Sequence, residues 1–386
     1  MEIGGAERAL LGLLNAIDTN KVDVDLFVNQ HTGEFMSLIP NKINIIPEIK
    51  KYSTLERPII DIIKEGYIDI ACARIFAKIR HWLYRKTNQV KKDCDMSIFQ
   101  YVAKYTTPLL PSLKKLGKYD LAISFLTPHN IVAKKISARK KIAWIHTDYS
   151  TISVNKHDEL PIWELFDNII SISSDVTKTF SECFPTLNNR IIEIENILSS
   201  SSIITQSKQY FPTEINRNVF TLCSVGRFVH QKNFENIPYI AKILKDKGLE
   251  FKWYVIGFGN EKPIKESIIK TATEDYVIIV GKKDNPYPYM ANCNIYVQPS
   301  RYEGKAVTVR EAQILQRPVI ITNYPTASSQ INSGTDGIIC QIDNNSIANA
   351  IHELLLNSHK RQQITQYLAK HEYGNECEVE KSYALI

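Results

Sequence analysis

The chain has 386 residues, of which 44% are hydrophobic and 23% charged, an ordinary globular composition with enough length for two or three domains. These values exclude a disordered, collagen-like or coiled-coil protein. No apolar run approaches the roughly 18 residues of a membrane-spanning helix, and the N-terminus lacks a signal-peptide pattern, so we expect a cytoplasmic protein. Its seven Cys are scattered and never spaced as CxxC, which predicts reduced thiols and no zinc site.

The net charge of +6 is concentrated in one part of the chain. Residues Arg74–Lys141 contain sixteen Lys and Arg against three acids, whereas the rest of the chain is net negative. Such a concentration of positive charge predicts an anionic partner for this segment.

The first half predicts helices that alternate with Ile-rich strands, which is typical of a parallel sheet covered by helices on both faces. A helix is expected over 4–19, and strands are expected over Val22–Val28, Lys42–Ile46, Leu121–Phe125, Lys141–Ile145 and Ile169–Ile172. These elements define an N-terminal domain over 1–198. The polar residues 199–217 are then predicted to form a linker.

The same alternation restarts after the linker and predicts a second α/β domain over 218–365. Its expected strands are Val219–Val225, Phe251–Ile256, Val277–Val280, Ile295–Gln298 and Val319–Thr322, and its expected helices are Asn236–Asp246, Ile264–Thr271, Val307–Leu315 and Ser346–Leu356. Residues 366–386 are predicted to form a helical tail that returns to the N-terminal domain. Two such domains in tandem predict a central cleft between them, because open α/β sheets bind ligands at the carboxyl ends of their strands.

The most informative loop is PSRYEGKAVTVREAQIL, which covers Pro299–Leu315. Glu303 follows a predicted strand, Gly304 permits close approach of the backbone, and Glu311 lies eight positions later on a helix. The first turn of that helix suits a phosphate, and the two carboxylates suit sugar or ribose hydroxyls. From the residues alone, two solvated surface acids are an equal alternative.

A second loop, SVGRFVHQKNFENI over Ser224–Ile237, places Arg227 and Lys232 just beyond a buried strand. Arg is a rigid two-pronged donor and Lys a point charge, a pair that suits a diphosphate when no metal is present. Because the Glu303 loop belongs to the same domain, a binding role for the two cations is favoured over two surface charges.

Together, the segments GGAERALLGLL, GRFVHQKN and EGKAVTVRE resemble the large family of retaining GT-B nucleotide-sugar glycosyltransferases. The phrases AWIHTDYS, NPYPYM and YPTASSQI narrow the resemblance to bacterial enzymes that build capsule or exopolysaccharide. The resemblance implies two Rossmann-like domains that face a central cleft. It also implies a transferase that needs neither a cofactor nor a metal ion.

The resemblance further implies a role for each matching residue. Arg227 and Lys232 would hold the donor's diphosphate, Glu311 the ribose hydroxyls and Glu303 the transferred sugar, while His146 would lie beside the reacting sugar. Backbone N–H groups at Lys305, Ala306 and Val307, next to Gly304, would face the phosphate and sugar, and Gly4 and Gly5 would form a loop that faces the same cleft.

Two departures from the family pattern concern the chain start and the sugar pocket. Family members open with a β-strand before the Gly-rich loop, whereas Met1, Glu2 and Ile3 leave almost none, which leaves open a truncated or misplaced start. After Glu303 the chain reads Gly-Lys-Ala-Val where many relatives have Gly-Phe-Gly-Leu, so the identity of the donor sugar stays open.

Other candidate residues have weaker support. Asp23-Val-Asp25 and Asp93-Cys-Asp95 resemble a metal-binding Asp-x-Asp, but neither follows a strand as that role requires. His129, Asp148 and Ser173–Asp175 are further loop candidates, and Tyr287 and Tyr289 could flank a nucleotide base or simply pack. No GxxxxGK[ST] loop is present, so ATP hydrolysis is unsupported.

The favoured function is transfer of a hexose from a nucleotide sugar, with UDP implied by the resemblance, to a lipid-diphosphate-linked saccharide. A nucleotide-sugar epimerase or phosphorylase of the same fold is one alternative. A non-catalytic assembly partner is another.

The basic segment Cys72–Lys92 contains Ile75, Phe76, Ile79, Trp82 and Leu83 at helical spacing, with Arg74, Lys78, His81 and Arg85 largely on the other face. This pattern predicts a helix that lies in an anionic membrane surface, at the inner face of the cell membrane. In the alternative, the apolar face packs on the N-terminal domain. Nucleic acid is a weaker option, because no recognition motif accompanies the charge.

Overall fold

The computed structural model describes residues 5–88, 95–303 and 306–386. The chain divides into two compact units, with unit 1 containing Met1–Ile197 and Glu376–Ile386 and unit 2 containing Leu198–Asn375. The second unit therefore begins at Leu198 and ends at Asn375, whereas the sequence predicted a second domain over 218–365. Residues 199–217, expected as a linker, belong to unit 2 and contain a helix over Ser200–Ser207. This helix forms because Ser199 caps it by accepting from the Ser202 N–H, and Ile203 is buried in the core of unit 2.

Unit 1 contains a two-stranded and a four-stranded parallel sheet with surrounding helices. In chain order its elements are α1 Gly5–Ala16, β1 Asp25–Leu26, β2 Asn44–Ile45, α2 Lys50–Ser53, α3 Ile59–Lys64, α4 Ile68–Asn88, α5 Ser97–Thr106, β3 Lys118–Ser124, α6 Asn130–Lys135, β4 Ser137–Ile145, α7 Lys156–Trp163, β5 Asn168–Ser171, α8 Ser174–Cys183 and β6 Ile191–Glu193. The larger sheet has the order β3-β4-β5-β6. The C-terminal helix, Val379–Tyr383, also belongs to unit 1, where Val379 joins the core.

Unit 2 is built on one parallel sheet of six strands. Its elements are α9 Ser200–Ser207, β7 Phe220–Val225, α10 Ile237–Asp246, β8 Phe251–Ile256, α11 Lys262–Thr271, β9 Val277–Gly281, α12 Tyr287–Ala291, β10 Ile295–Gln298, α13 Val307–Ile314, β11 Val319–Thr322, α14 Ala327–Gln330, β12 Ile338–Cys340, α15 Asn344–Leu356 and α16 Ser358–Lys370, and α17 is the helix Val379–Tyr383 of unit 1. Successive residues of one strand face two different cores: Leu222 belongs to one and Cys223 to the other. Both faces of the sheet are therefore covered, as nearly continuous apolar strands require.

The strand order of unit 2 is β12-β11-β10-β7-β8-β9. The chain therefore builds outward from β7 through β8 and β9, and then crosses back to β10 on the other side of β7. In a doubly wound sheet, the crevice beyond the carboxyl ends of the two strands at this reversal is where ligands bind. The strand order therefore places a candidate site after β7 and β10.

The turn after β7 packs unusually closely against the turn after β8. A Cβ at Gly257 would lie 1.8 Å from the Gly226 carbonyl oxygen, so only glycine fits there. The Gly226 N–H donates to the Ile256 carbonyl, and this bond extends the β7–β8 pairing past the last strand residue. The backbone that leads to Arg227 is therefore fixed by close contact.

Candidate functional site

The loops after β7 and β10 bring Lys232 and Glu303 together. Lys232 Nζ lies 2.6 Å from Glu303 Oε1, and the two side chains are only 16% and 6% exposed. The short helical turn His230–Lys232 and the left-handed Asn233 orient the lysine, and the Asn233 side chain donates to the Pro299 carbonyl of the other loop. The two loops are therefore joined by an ion pair and by a buried hydrogen bond.

Three polar side chains complete the coordination of the Glu303 carboxylate. Ser300 Oγ and Gln298 Nε2 donate to Oε1 over 2.5 and 3.2 Å, and Gln231 Nε2 donates to Oε2 over 3.2 Å. Four donors to one largely buried carboxylate hold it in one orientation. Sequence reasoning missed these three residues, although the position of Gln298 at the end of a strand and of Ser300 just beyond it was a usable signal.

Arg227, in contrast to Lys232, extends from the site into solvent. It is exposed, and among residues 5–88, 95–303 and 306–386 its guanidinium has no hydrogen-bond or ion-pair partner. The two cations that were predicted to hold one diphosphate therefore differ in their ion pairing. The charge of Lys232 is balanced by Glu303, and the charge of Arg227 is available.

Glu311 is fully buried on α13, where it accepts a hydrogen bond of 2.9 Å from the Tyr287 hydroxyl. The role expected for Glu311, holding the ribose hydroxyls, stays a prediction, and in this structure the Tyr287 hydroxyl of α12 contacts one of its carboxylate oxygens. Tyr287 and Tyr289 are themselves part of a hydrophobic core, and the Tyr289 hydroxyl donates to Glu214. Packing therefore accounts for both tyrosines, and neither offers an open face to a base.

The start of α13 is also occupied by protein contacts. The Ala306 N–H donates to Gln330 Oε1 over 3.1 Å, and the Ala306 carbonyl accepts from the same amide. This N–H therefore has a protein partner in this structure, whereas Val307 at the first position of the helix is partly exposed. The role expected for these backbone groups, facing the phosphate and sugar, stays a prediction. The predicted residues Gly304 and Lys305 lie outside the described residues, as does Gly4, and Gly5 begins α1.

In unit 1, His146 directly follows β4 and lies beside the ring of Phe125, with 4.5 Å between ring centroids. Burial lowers the pKa of His146 to about 4, and the Phe125 backbone offsets only part of this effect. His129 follows β3 and is joined to Ser124 Oγ by a hydrogen bond of 2.8 Å from its Nδ1. Burial lowers the pKa of His129 to about 3, and nearby His146 adds to the shift. Both imidazoles are therefore neutral at pH 7.

The Asp-x-Asp candidates have structural contacts where they are described. Asp25 accepts hydrogen bonds from Asn44 and from the Tyr119 hydroxyl, each over 2.6 Å. Asp95 accepts from Ser97 and pairs with His81. Over the described part of the chain, no three His, Cys, Asp or Glu side chains are grouped so that they could hold a metal ion.

The helix α4 presents its apolar face to solvent. Five large apolar side chains on it are 42–54% exposed: Ile75, Phe76, Ile79, Trp82 and Leu83. The opposite face packs on unit 1, where Arg74 donates to the Thr54 and Arg57 carbonyls and Arg85 approaches Asp95 at 3.4 Å. The alternative in which the apolar face packs on the domain is therefore wrong. Residues 89–92 of the predicted segment lie outside the described residues.

No helix of the described residues is long and apolar enough to cross a membrane.

Residues 205–371 match the family described as glycosyl transferases group 1. The capsular polysaccharide biosynthesis glycosyltransferase CapM of Staphylococcus aureus is 32% identical over 148 residues, which are 38% of this chain and 39% of that protein. A Campylobacter jejuni N-acetylgalactosamine-N,N'-diacetylbacillosaminyl-diphospho-undecaprenol 4-alpha-N-acetylgalactosaminyltransferase is 26% identical over 32% of this chain and 33% of its own length. The matched regions thus span about two fifths or less of these relatives.

Similarity to solved structures extends over nearly the whole chain. Anabaena Alr3699/HepE, solved in complex with UDP-glucose, covers 99% of this chain and 95% of its own with a TM-score of 0.61 at 14% identity. At this identity the similarity establishes the fold. The chain has the GT-B fold, with two Rossmann-like domains, as the sequence predicted.

Proposed function

We propose, on the premise that residues 205–371 belong to the glycosyl transferases group 1 family, that this chain is a glycosyltransferase of polysaccharide biosynthesis. It would move a hexose, with retention of configuration, from a UDP-sugar to a lipid-diphosphate-linked saccharide. The observation that carries the proposal is the Lys232–Glu303 pair at the strand reversal of unit 2. A carboxyl group and two cations at that position suit a sugar attached to a diphosphate.

The chemistry assigned to these residues follows the charge of the leaving group. As the bond between sugar and phosphate breaks, negative charge develops on the diphosphate, and fixed cations stabilise that charge. Arg227, exposed and available, would contact the diphosphate first. Lys232 would share its charge between the diphosphate and Glu303, which would accept hydroxyl donors from the transferred sugar. We propose no protein nucleophile and no metal ion, with the acceptor's proton passing to the donor's phosphate.

A direct test is the release of UDP from a panel of UDP-sugars by the purified chain, with and without EDTA. We expect slow release of UDP that EDTA does not reduce, and a loss of about 10²-fold in Arg227→Ala, the scale of one lost charge-stabilising donor. Lys242→Ala, which removes an exposed cation of α10, is the matched control and should retain full activity. An absolute need for Mg²⁺, or full activity in Arg227→Ala, would contradict the proposal.

The two alternatives give different outcomes in the same assay. An epimerase or phosphorylase of this fold would yield a new nucleotide sugar or a sugar phosphate instead of UDP with a free or transferred sugar. A non-catalytic partner would release no UDP at all. Burying the Lys232–Glu303 pair costs free energy, because both charged groups lose their hydration. This cost favours a chemical role for the pair over a non-catalytic assembly partner.

We further propose that unit 1 binds the anionic inner surface of the cell membrane through α4, which suits a lipid-linked acceptor. Its exposed apolar face can enter the headgroup boundary, and Lys78, Arg80 and Lys86 on the same helix are exposed beside it. Lys86 Nζ lies 3.8 Å from the centroid of the Trp82 ring, so charge and apolar surface are contiguous. Arg85 and His81, which pair with Asp95, would remain in the fold.

Sedimentation with liposomes tests the membrane proposal. Each cation near an anionic surface contributes about 1 kcal/mol, so changing Lys78, Arg80 and Lys86 to Glu should weaken binding by at least about 10²-fold. A matched triple change on α11, with Glu at Lys262, Lys265 and Lys270, should leave binding intact. Equal binding to neutral and anionic vesicles, or no difference between the two triple variants, would refute it.

A further inference from the structure

Gln298, the last residue of β10, is fully buried at the start of the loop that carries Glu303. Its amide nitrogen donates to Ser300 Oγ over 2.8 Å and to Glu303 Oε1 over 3.2 Å. Its amide oxygen accepts from the Tyr296 hydroxyl over 2.8 Å and from the Thr308 hydroxyl over 3.3 Å. Both polar atoms of this side chain therefore have partners, and these partners lie on β10, on the loop and on α13.

These hydrogen bonds form a chain from β7 to Glu303 in which every donor points the same way. The Val225 N–H donates to the Tyr296 hydroxyl over 3.4 Å, and that hydroxyl donates in turn to Gln298. At the other end, the Gln298 amide donates to the Ser300 hydroxyl, which donates to Glu303 Oε1 over 2.5 Å. Hydrogen bonds in a buried chain polarise one another, and a fully satisfied chain is rigid. The Glu303 carboxylate is therefore tied to the sheet through buried side chains.

The amide of Gln298 can take only one of its two orientations beside Glu303. If the amide were turned over, Gln298 Oε1 would lie against an oxygen of a carboxylate that pairs with Lys232, and two acceptors would meet. An apolar side chain could fill the same space, but it could neither accept from Tyr296 nor donate to Glu303. The amide therefore serves the contact with Glu303 and not merely the packing of the core.

The two oxygens of the Glu303 carboxylate have different surroundings. Lys232, Ser300 and Gln298 all donate to Oε1. Among the residues that the structure describes, Oε2 accepts only from Gln231. Because a carboxylate oxygen has two lone pairs, Oε1 is saturated, whereas Oε2 can accept from one more donor. The oxygen left for a sugar hydroxyl is therefore Oε2.

From this arrangement we infer that Gln298 is a positioning residue for the transfer of the sugar. Its amide holds Oε1 of Glu303 within the protein and thereby leaves Oε2 for the donor's sugar. Because Gln298 is fully buried, it acts through Glu303 and not by contact with the substrate. In assigning the free oxygen to a transferred sugar, the inference rests on the proposed function. The orientation of Glu303 by Gln298 can be measured without any reaction.

The kinetics of Gln298→Met in two backgrounds separate positioning from packing. Methionine keeps the volume of the side chain, and the Tyr296 hydroxyl can still donate to the Val225 carbonyl over 3.3 Å. With a UDP-sugar that the parent chain turns over, Gln298→Met should lower kcat at least about tenfold and change KM less than about twofold, because a misplaced reacting group costs rate. In the Glu303→Gln background it should change kcat less than about twofold, because it acts through that carboxylate. An equal loss in both backgrounds, or none in either, would overturn the inference.

Gln313→Met is the matched control for these kinetics. Gln313 is also a buried glutamine of unit 2, only 1% exposed, but its amide has no hydrogen bond among the described residues. This variant should retain the kcat of the parent chain. A loss as large as that of Gln298→Met would show that any buried methionine at such a position slows the reaction, and the inference would then be wrong.

Melting temperatures detect the contact without any turnover. Gln298→Glu keeps the shape of the side chain but replaces the donor nitrogen by an oxygen, so two carboxyl groups meet at Glu303 Oε1. We expect its melting temperature at pH 7 to fall by about 5 °C or more. Adding Glu303→Gln should restore at least half of the loss, because an amide at that position can donate to the introduced carboxylate. Adding Glu311→Gln, whose carboxylate accepts from Tyr287, should restore none. No restoration by Glu303→Gln, or equal restoration by Glu311→Gln, would refute the orienting contact and with it the inference.

Together the two measurements distinguish a failure of this inference from a failure of the proposed function. A parent chain that releases no UDP from any UDP-sugar refutes the proposed function, and the melting temperatures then decide whether Gln298 orients Glu303. A parent chain that releases UDP, with an unchanged kcat in Gln298→Met, refutes this inference alone.

Discussion

The two buried histidines of unit 1 should make its stability fall in mild acid. Their pKa values in the folded state are about 3 for His129 and about 4 for His146, against 6.5 for an ordinary His. Between pH 6.5 and pH 4 the unfolded chain therefore binds protons that the folded chain does not. The contribution of each His to the free energy of unfolding is fully present above pH 6.5 and is lost as the pH falls. By pH 5 each histidine should lower the free energy of unfolding by about 2 kcal/mol, because one pH unit corresponds to about 1.36 kcal/mol.

Glu159 changes the free energy of unfolding in the opposite direction over the same pH range, so the histidine effect is best measured in a variant that lacks this carboxyl group. Its folded pKa is about 7 against 4.5 ordinarily, so the folded chain takes up its proton first as the pH falls. This uptake raises stability by about 2 kcal/mol between pH 7 and pH 5 and hides about half of the histidine effect. In Glu159→Gln the full loss of about 4 kcal/mol should appear. Adding His129→Gln should reduce that loss to about 2 kcal/mol.

The measurement is urea unfolding at pH 7 and pH 5, followed by tryptophan fluorescence. Three of the four tryptophans, Trp82, Trp144 and Trp163, belong to unit 1, so the signal reports mainly on that unit. His157→Gln in the same background is the control and should leave the pH dependence unchanged, because this side chain is exposed. An identical pH dependence with and without His129→Gln would show that burial does not lower the pKa of this histidine.

Other changes test unit 2. Glu303→Gln should mainly lower kcat, because a group on the reacting sugar acts in the transition state, whereas Glu311→Gln should mainly raise KM; the reverse pattern would exchange the two roles. Lys232→Met should lower the free energy of unfolding by about 3 kcal/mol, and adding Glu303→Gln should restore part of it in a double-mutant cycle, whereas strictly additive losses would show that the pair is not coupled. Gly257→Ala should lower the melting temperature markedly, since its Cβ would lie 1.8 Å from a carbonyl oxygen, and an unchanged melting curve would contradict this contact.

Local sequence patterns were sufficient to predict most strands and helices of unit 2. Its strands are short, Ile-rich runs buried on both faces, and β8 was predicted with its observed bounds, Phe251–Ile256. The strand order could not be read in this way, because it depends on pairings such as Tyr296 with Cys223 between segments far apart in the chain. Strand β6, Ile191–Glu193, was missed because three residues at a sheet edge carry almost no periodicity.

The sequence pattern of helix α4 did not determine which of its faces packs on unit 1. The spacing of Ile75, Ile79 and Trp82 established one apolar face, but not whether that face is covered. The cationic face turned inward because Asp95, fourteen residues from His81, pairs with it, and because backbone carbonyls accept from Arg74. Sequence separation hid both contacts. The exposed apolar face is therefore a result of tertiary pairing.

The same limit applies to the candidate site, where the motif did not specify which partners surround each acid. One motif identified Glu303 and Glu311, for the transferred sugar and the ribose, yet the Glu303 side chain lies in the loop after β10 with four donors around it, whereas Glu311 is fully buried beneath α12. A helix turns about 100° per residue, so Glu311, five residues into α13, points toward the core that the motif could not specify. Lys232, Ser300 and Gln298 surround the Glu303 carboxylate and fix its orientation, and this shell of donors suits Glu303 for direct contact with the transferred sugar.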